Sequence, residues 1–313
     1  MAAPAAPLPG RRVSLGSVAV LAGALLLAPP LFVLAPFVVL SVLARPHSLR
    51  ELVALIGAGV GLGLSLQGSS ALVPDLIRAA GLVLAAVFGF LSFRTRAGLF
   101  PRALLAVLLT ALALFVWEWV RGVTWPEMHR SFATMLEQSY RSLLPPESAT
   151  ASSTEVRNLV QTFIDSASAF ARALPGLLAL QGMAGVAIAW LWHHKLAAAP
   201  LGLPPAPFRT FRFNDQLVWG AIFTLALYLV GLPAEGQALT ESLLIFWVGL
   251  YAMRGLAVAA AVLAFSPAPL RGLLVLLALL LSPLTLGACV ALGLGDTWID
   301  IRRRLPSAES GGI

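Results

Sequence analysis

Four charged residues inside or beside long apolar segments are the first candidates for chemistry in this sequence. Arg254 lies midway along one such segment, Glu118 stands between two tryptophans near the end of another, and Asp75 and Arg78 are one helical turn apart. An unpaired charge at membrane depth costs several kcal/mol, so a charge that is kept there is either paired or functional. We therefore predict Arg254, Glu118, Asp75 and Arg78 as substrate-binding residues, with Arg254 contacting an anion or the substrate.

Each of these residues also has a structural interpretation. Asp75 and Arg78 could simply pair with each other at a helix entrance. Glu118 could anchor a helix end in the interfacial aromatic belt. Arg254 could be a loop arginine between two short helices. The residue types alone leave both interpretations open.

A second charged group closes the chain. Asp296 and Asp300 flank Trp298, and Arg302 opens a run of arginines. Acidic and basic side chains so close in sequence can pair across a helix end. We predict a clamp at the end of the last helix, at the cytoplasmic face.

Metal and catalytic chemistry find little support in the residue types. His193 and His194 are adjacent, so on a helix their side chains diverge by about 100°, and no carboxylate or cysteine is spaced to complete a metal shell. Cys289 is the only cysteine, which excludes an intrachain disulfide and a multi-cysteine metal site. The hydrolase motifs G-x-S-x-G and H-E-x-x-H are absent. We expect no enzyme activity, no catalytic residue, no metal and no cofactor.

The glycine-rich stretch 57–63 invites comparison with a nucleotide-binding loop. Neither register completes G-x-G-x-x-G, and no lysine follows as a Walker loop requires. Gly57 and Gly61, like Gly59 and Gly63, stand at the spacing of small-residue faces in membrane helices. We predict close helix–helix packing here.

The composition requires lipid around most of the chain. The 313 residues are 59% hydrophobic and 11% charged, and the mean hydropathy is +0.89. A water-soluble domain of this size could not carry so apolar a surface. In hydrocarbon a helix satisfies its backbone groups within the segment, whereas barrel strands would need an alternating pattern that segments such as 270–281 lack. We expect the lipid bilayer as the main partner.

The net charge of +7 fits arginines at the ends of membrane helices. Basic residues interleaved with exposed aromatics would indicate nucleic-acid binding, and the chain has no such stretch. We therefore expect no nucleic acid partner.

Apolar segments long enough to cross a bilayer follow one another along the chain. A bilayer core about 30 Å thick needs roughly 20 apolar residues for each helical crossing. We predict an all-α fold, a polytopic helical membrane bundle with about eight or nine transmembrane helices. The first segment predicts two short helices joined by a proline turn, although Arg11 and Arg12 could instead begin a signal peptide. The segments are 13–44, 52–66, 77–93, 103–120, 177–192, 217–232, 242–265 and 273–294.

A charge-balanced stretch, 121–172, interrupts this pattern. Apolar residues such as Met128 and Phe132 recur there at helical spacing, which predicts one amphipathic helix and a second that leads into the next crossing. Ser152 and Glu155 have capping-box spacing at the start of the second. The predicted organisation is a cytoplasmic N-terminal tail (1–12), N-terminal membrane helices (13–120), the polar amphipathic-helix insertion (121–172), C-terminal membrane helices (173–295) and a C-terminal basic tail (296–313).

Basic loops set the predicted orientation. With a cytoplasmic N-terminus all of them lie inside, as expected for a multi-pass protein of the bacterial inner membrane. Nine crossings would leave the tail at Arg302 outside, whereas eight would leave it inside. Pro283 splits the last segment and Arg254 interrupts the one before it, so a non-spanning segment is expected there. The loops are 45–50, 94–102, 195–212 and the turn at Arg271.

The closing residues 293–303 read Gly-Leu-Gly-Asp-Thr-Trp-Ile-Asp-Ile-Arg-Arg. They resemble the C-terminal signature of the YybS-type bacterial membrane proteins, an uncharacterised family in which a glycine-leucine pair leads to an aspartate, an aromatic residue, a second aspartate and basic residues. Arg254-Gly255-Leu256-Ala257 is similar to that family's glutamine-glycine-leucine-alanine stretch, with Arg254 departing at the first position.

The YybS-type family is in turn similar in helix layout to the substrate-binding membrane subunits of energy-coupling-factor transporters and to MreD-like cell-shape proteins, a fold-level analogy. The resemblance implies a transporter-like subunit that binds or transports a small solute, with a separate ATPase module or other membrane proteins as partners. The alternative is a non-transporting membrane scaffold that recruits cell-envelope proteins. An intramembrane lipid-processing enzyme is a third hypothesis.

Overall fold

Ten α-helices make up the described part of the chain. The computed structural model describes residues 29–67, 71–95, 97–143 and 154–304, and these ranges contain no strand. The predicted all-α fold is confirmed. The helices are α1 (Pro30–Ala44), α2 (Leu49–Leu66), α3 (Leu72–Arg94), α4 (Leu99–Arg121), α5 (Trp125–Leu143), α6 (Thr154–Leu196), α7 (Leu217–Val230), α8 (Ala234–Leu263), α9 (Ala268–Leu280) and α10 (Ser282–Ile299), with short 3-10 turns at Phe208–Thr210 and Ile301–Arg304.

Two prolines of the first segment act differently in the structure. Pro30 opens α1, where the missing N–H would have no intrahelical partner in any case. Pro36 lies inside α1, and the helix continues through it to Ala44. The other half of the predicted pair, 13–28, lies outside the described residues.

The long helix α6 joins the two halves of the bundle. It has 43 residues and runs through Pro175, so the second amphipathic helix and the crossing that follows it are one continuous element. On one side Trp190 and Val186 pack with residues of α1, α3 and α4. On the other side α6 packs along α8, where Leu180 joins the core around Tyr251.

Helix α5 is the predicted amphipathic helix. Met128 and Phe132 are buried against Val73 and Leu76 of α3, whereas Arg130 on the opposite face is exposed. Its apolar stripe therefore covers the bundle end beside α3. Of the capping box predicted at Ser152 and Glu155, Ser152 lies outside the described residues, and α6 begins at Thr154.

Within the described ranges, five helices are long and apolar enough to cross a membrane. A sixth candidate is the pair α9 and α10, which is bent by 105° at its break. The predicted count of eight or nine crossings is not confirmed by this criterion, because α1 and α7 are shorter apolar helices. The five are Leu49–Leu66, Leu72–Arg94, Leu99–Arg121, Phe170–Leu196 and Gly236–Leu263.

Two sequence features near the C-terminus have different outcomes. Helix α10 begins at Ser282 with Pro283 in its first turn, so the predicted split of the last segment is confirmed. The interpretation of Arg254 as a loop arginine is wrong, because α8 is one uninterrupted helix from Ala234 to Leu263. Arg254 is the one charged residue between Ser242 and Leu263, and its apolar neighbours let the helix continue through it.

The predicted close packing of the α2 glycines occurs at one position only. A Cβ on Gly61 would lie 3.0 Å from the Leu34 side chain of α1, whereas one on Gly57, Gly59 or Gly63 would meet nothing within 4 Å. Most of the glycine face of α2 therefore points away from the described bundle.

Candidate functional site

The guanidinium of Arg254 is fully buried in the middle of α8 and uses all of its nitrogens. Its Nε donates to Asp296 Oδ2 at 3.0 Å, and its Nη2 donates to the Asp296 carbonyl oxygen at 3.2 Å. Its Nη1 donates to Asp215 Oδ1 at 2.8 Å. The buried charge is thus balanced by one carboxylate from α10 and one from the loop before α7.

Asp296 is the second fully buried charge, and it binds two arginines. Besides Arg254, Arg302 donates from Nη2 to Asp296 Oδ2 at 2.7 Å. The other carboxylate oxygen, Oδ1, is buried and has no hydrogen-bond partner in the described structure. Such orphaned buried acceptors are uncommon and often mark functional positions.

The outer part of the cluster is more exposed. Arg212 bridges Asp215, at 2.8 Å from Nη2 to Oδ2, and Asp300, at 3.3 Å from Nη1 to Oδ1. Hereafter the Arg254 network means Arg212, Asp215, Arg254, Asp296, Asp300 and Arg302.

Electrostatics in the loop segment follow from these pairs. Burial alone would raise the pKa of Asp215, but hydrogen bonds from Arg212 and Arg254, together with their charges, outweigh it. The pKa of Asp215 therefore lies below its ordinary value. The same hydrogen bond to Asp215 raises the pKa of Arg212. Both groups are held in their charged forms.

Two glycines bring α8 and α10 close enough to form the network. A Cβ on Gly255 would collide with the Cys289 carbonyl oxygen, and one on Gly293 would collide with the Tyr251 carbonyl oxygen. The two helices therefore touch through their backbones, at the residue after Arg254 and about one turn before Asp296. Small residues permit this approach in membrane helices.

The C-terminal turn is tied to the loop before α7. Arg302 Nη1 donates to the carbonyl oxygens of Phe211 at 2.8 Å and Arg209 at 3.4 Å. In return, Arg212 of the loop donates from Nη1 to Asp300 Oδ1, next to the C-terminal turn. The basic tail and the basic loop 195–212 thus meet at one end of the bundle.

The structure brings together one of the four predicted substrate-binding residues and most of the C-terminal motif. Arg254 joins Asp296, Asp300 and Arg302 in one network, whereas Trp298 is 66% exposed and stands apart from it.

The other predicted residues lie elsewhere. Asp75 and Arg78 form an ion pair of 2.7 Å at the start of α3, and Arg78 also donates to the Gln67 carbonyl oxygen. Glu118 lies in the last turns of α4, near Trp117, over which Arg121 stacks at 4.6 Å. Asp75, Arg78 and Glu118 are thus not members of the Arg254 network.

Sequence reasoning missed Asp215 and Tyr251. Asp215 follows a run of basic loop residues, where an acid is unremarkable, and only its place directly before α7 could have drawn notice. Tyr251 lies one turn before Arg254 and is 1% exposed, and its hydroxyl has no partner in the described structure. The ring of Phe213 packs against both, at 5.3 Å from the Tyr251 ring and 5.2 Å from the Arg254 guanidinium.

The adjacent histidines have separate environments. His193 is buried and its Nε2 accepts a hydrogen bond from the Leu201 amide at 3.0 Å, while His194 packs on Trp190 at 4.6 Å. Among the residues described, no three His, Cys, Asp or Glu side chains group as metal ligands.

A scan against protein families matches residues 17–297 to the family described as Predicted membrane protein (DUF2232). The chain belongs to this family. The match covers most of the sequence and includes Arg254, Asp215 and Asp296. It confirms the prediction of an uncharacterised multi-pass membrane family, and with it a membrane location for the chain. No curated protein and no solved structure matches the chain significantly, so the likeness to energy-coupling-factor subunits and MreD-like proteins stays a fold-level prediction.

Proposed function

We propose that the chain binds a small polar solute at the Arg254 network, as a substrate-binding component of a transporter-like membrane assembly. The observation that carries this proposal is a buried charged centre with two orphaned polar atoms, Asp296 Oδ1 and the Tyr251 hydroxyl. Ionisable residues inside membrane bundles mark solute or ion pathways more often than they serve stability. Buried polar atoms are paired as a rule, so two unpaired ones beside a buried ion pair support a role in binding.

The arrangement also indicates which solute chemistry fits. Asp215 lies on a loop and its side chain is 38% exposed, whereas Asp296 is fully buried. Asp215 is therefore the partner of Arg254 that a solute carboxylate or phosphate can replace. A hydroxyl or amino group on the same solute would donate to Asp296 Oδ1. The preferred ligand is small and carries both an acidic group and a hydrogen-bond donor.

We infer that the chain supplies binding rather than catalysis or energy. It offers no nucleotide-binding motif, so active transport would require a separate ATPase module.

The bonds between the tail and the basic loop also support a topology. Because Arg302 and Arg212 join these segments, both lie on one side of the membrane, and an even number of crossings separates them. We count α8 and the shorter α7, which has 14 residues, as two crossings, and we propose that the bent pair α9 and α10 is re-entrant rather than a third crossing. Together with the first apolar segment predicted from the sequence, the proposed total is about eight crossings, and the positive-inside tendency favours an N-terminus in the cytoplasm of the bacterial inner membrane.

Thermal stability of the full-length chain in detergent tests the solute proposal. Amino acids, hydroxy acids, vitamins and metal ions are added singly, and a true ligand raises the unfolding midpoint with concentration as mass action requires. Asp215→Asn should change the affinity without unfolding the protein. Arg78→Gln, in the distant pair with Asp75, is the matched control and should leave the ligand response unchanged.

The scaffold alternative has its own supporting observation. The outer face of α2 carries the exposed residues Val53, Ile56 and Val60 beside the open glycines. If no compound shifts the midpoint while a stable protein partner is recovered by crosslinking from α2, the scaffold replaces the solute binder.

A further inference from the structure

A second buried arginine, Arg102, lies in the first turn of α4 and is 3% exposed. Its guanidinium stacks over the Trp190 ring at 4.4 Å, and its Nε donates to the Gly98 carbonyl oxygen at 3.3 Å. Its Nη1 is buried and has no hydrogen-bond partner in the described structure. An arginine stays charged at any accessible pH, so this position holds a full positive charge.

Within the described ranges, no carboxylate lies within ion-pair distance of Arg102. Stacking on Trp190 offsets part of the cost of burial. Buried charges in proteins are nevertheless paired with an opposite charge as a rule. The described residues therefore do not supply the opposite charge that Arg102 needs.

The start of α4 adds a second positive feature at the same place. The N-cap, Gly98, offers no side-chain hydrogen bond, and the first turn contains no acidic residue. The free backbone N–H groups and the helix dipole at such an end favour an anion. An arginine here opposes the dipole, so one anion would stabilise both.

The surroundings of Arg102 favour a ligand at the membrane boundary. Leu105, Leu108 and Leu109 on the following turns of α4 are exposed and face outward. Loop residue Gly202 adopts a φ of +66° and packs close to Trp190 and Arg102, so the loop 197–207 covers the guanidinium. An anion would enter between this loop and the start of α4.

We propose that Arg102 and the start of α4 form a phosphate-binding site, filled by the phosphate of an anionic lipid headgroup or by free phosphate. This Arg102 site is separate from the Arg254 network. Guanidinium and phosphate match in charge and in hydrogen-bond geometry.

The test measures unfolding midpoints of the full-length chain with two probes. Inorganic phosphate is titrated against chloride at equal ionic strength in detergent. In parallel, nanodiscs of phosphatidylcholine are compared with nanodiscs that also contain phosphatidylglycerol. Wild type should be stabilised by at least one probe, and Arg102→Gln should weaken the apparent affinity for it by about 30-fold or more.

Arg121→Gln is the matched control, because Arg121 stacks on Trp117 at the opposite end of the same helix but is exposed. It should respond like wild type. A shift with inorganic phosphate supports a soluble anion, and a shift only with phosphatidylglycerol supports a lipid headgroup.

Arg102→Lys is the second variant, in case Arg102→Gln fails to fold. It keeps the positive charge and should still be stabilised by the same probe, but more weakly than wild type. The proposal is overturned if neither probe stabilises wild type, or if folded Arg102→Gln responds as strongly as wild type.

Discussion

Arg254 and Arg102 are both buried, but their charges are handled in opposite ways. Arg254 has two carboxylate partners, Asp296 and Asp215, and every guanidinium nitrogen is bonded. Arg102 has an aromatic ring, Trp190, and one carbonyl oxygen. The charge of Arg254 is balanced within the fold, whereas the charge of Arg102 has no balancing carboxylate among the described residues.

The difference assigns the two sites different physical roles. Because the Arg254 network joins α8, α10 and the loop before α7, removing a member should destabilise the fold. The Arg102 site contributes an uncompensated charge, so removing Arg102 should relieve a cost unless a ligand is bound. The sign of a mutation's effect on stability therefore separates the two regions.

The largest effect is expected for Asp296→Asn. This change leaves Arg254 and Arg302 beside a neutral side chain at a fully buried position, and breaking a buried pair costs about 3–5 kcal/mol. Thermal or denaturant unfolding of the purified protein in detergent measures the loss. Asp300→Asn, at the more exposed rim, should cost far less.

The double variant Arg254→Met with Asp296→Leu sharpens this prediction. Replacing a buried pair by apolar residues of similar size is often neutral or stabilising. The double variant should therefore recover part of the stability lost in Asp296→Asn, while Arg302 still lacks the carboxylate that it binds in the wild type. If the double variant is no more stable than Asp296→Asn, the ion pair between Arg254 and Asp296 does not by itself explain the stability of this part of the bundle.

The next effect is expected at Arg102, with the opposite sign. In zwitterionic detergent without phosphate, Arg102→Met should stabilise the protein by about 1–3 kcal/mol, the cost of a buried donor without a partner. Arg254→Met under the same conditions should destabilise it. A loss of stability in both variants would remove the distinction between the two arginines.

Backbone contact between α8 and α10 gives a third prediction. Gly255→Ala or Gly293→Ala places a methyl group against a carbonyl oxygen of the other helix, and such overpacking costs about 1–3 kcal/mol. Gly59→Ala is the matched control, because its position is open, and it should not destabilise the protein. Equal effects at Gly255 and Gly59 would argue against the close approach.

Residue type and position alone identified the members of the Arg254 network that lie in apolar segments. Arg254 and Asp296 stand out there because charge is costly in hydrocarbon. Their pairing could not be predicted, since it depends on the close approach of α8 and α10. Asp215 was missed because an acid in a polar loop costs nothing by itself.

Helix boundaries explain the remaining differences. Arg102 was counted with the basic loop 94–102, but α4 begins at Leu99 and turns this side chain toward Trp190. The 14 residues of α7 satisfy the apolar pattern yet fall short of the usual span. Tertiary packing decides both the environment of Arg102 and the length of α7, and it cannot be derived from a single sequence.

The smallest effect is the acid dependence of the exposed end of the Arg254 network. The pKa of Asp215 is below its ordinary value of 3.8, so its pairs stabilise the fold fully above that pH and lose their contribution as the pH falls through the lowered pKa. Asp215→Asn should therefore be less stable than wild type at neutral pH, and the two should converge in acid. Because Asp215 is partly exposed, solvent screening limits the difference to about 1 kcal/mol or less.

Unfolding midpoints between neutral pH and about pH 3 measure this convergence, with Asp75→Asn as the control for another partly exposed acid. A difference that stays constant in acid would mean that Asp215 acts through packing rather than through its charge. In that case Asp296 alone would balance the charge of Arg254. The two buried arginines would then differ by one carboxylate partner instead of two.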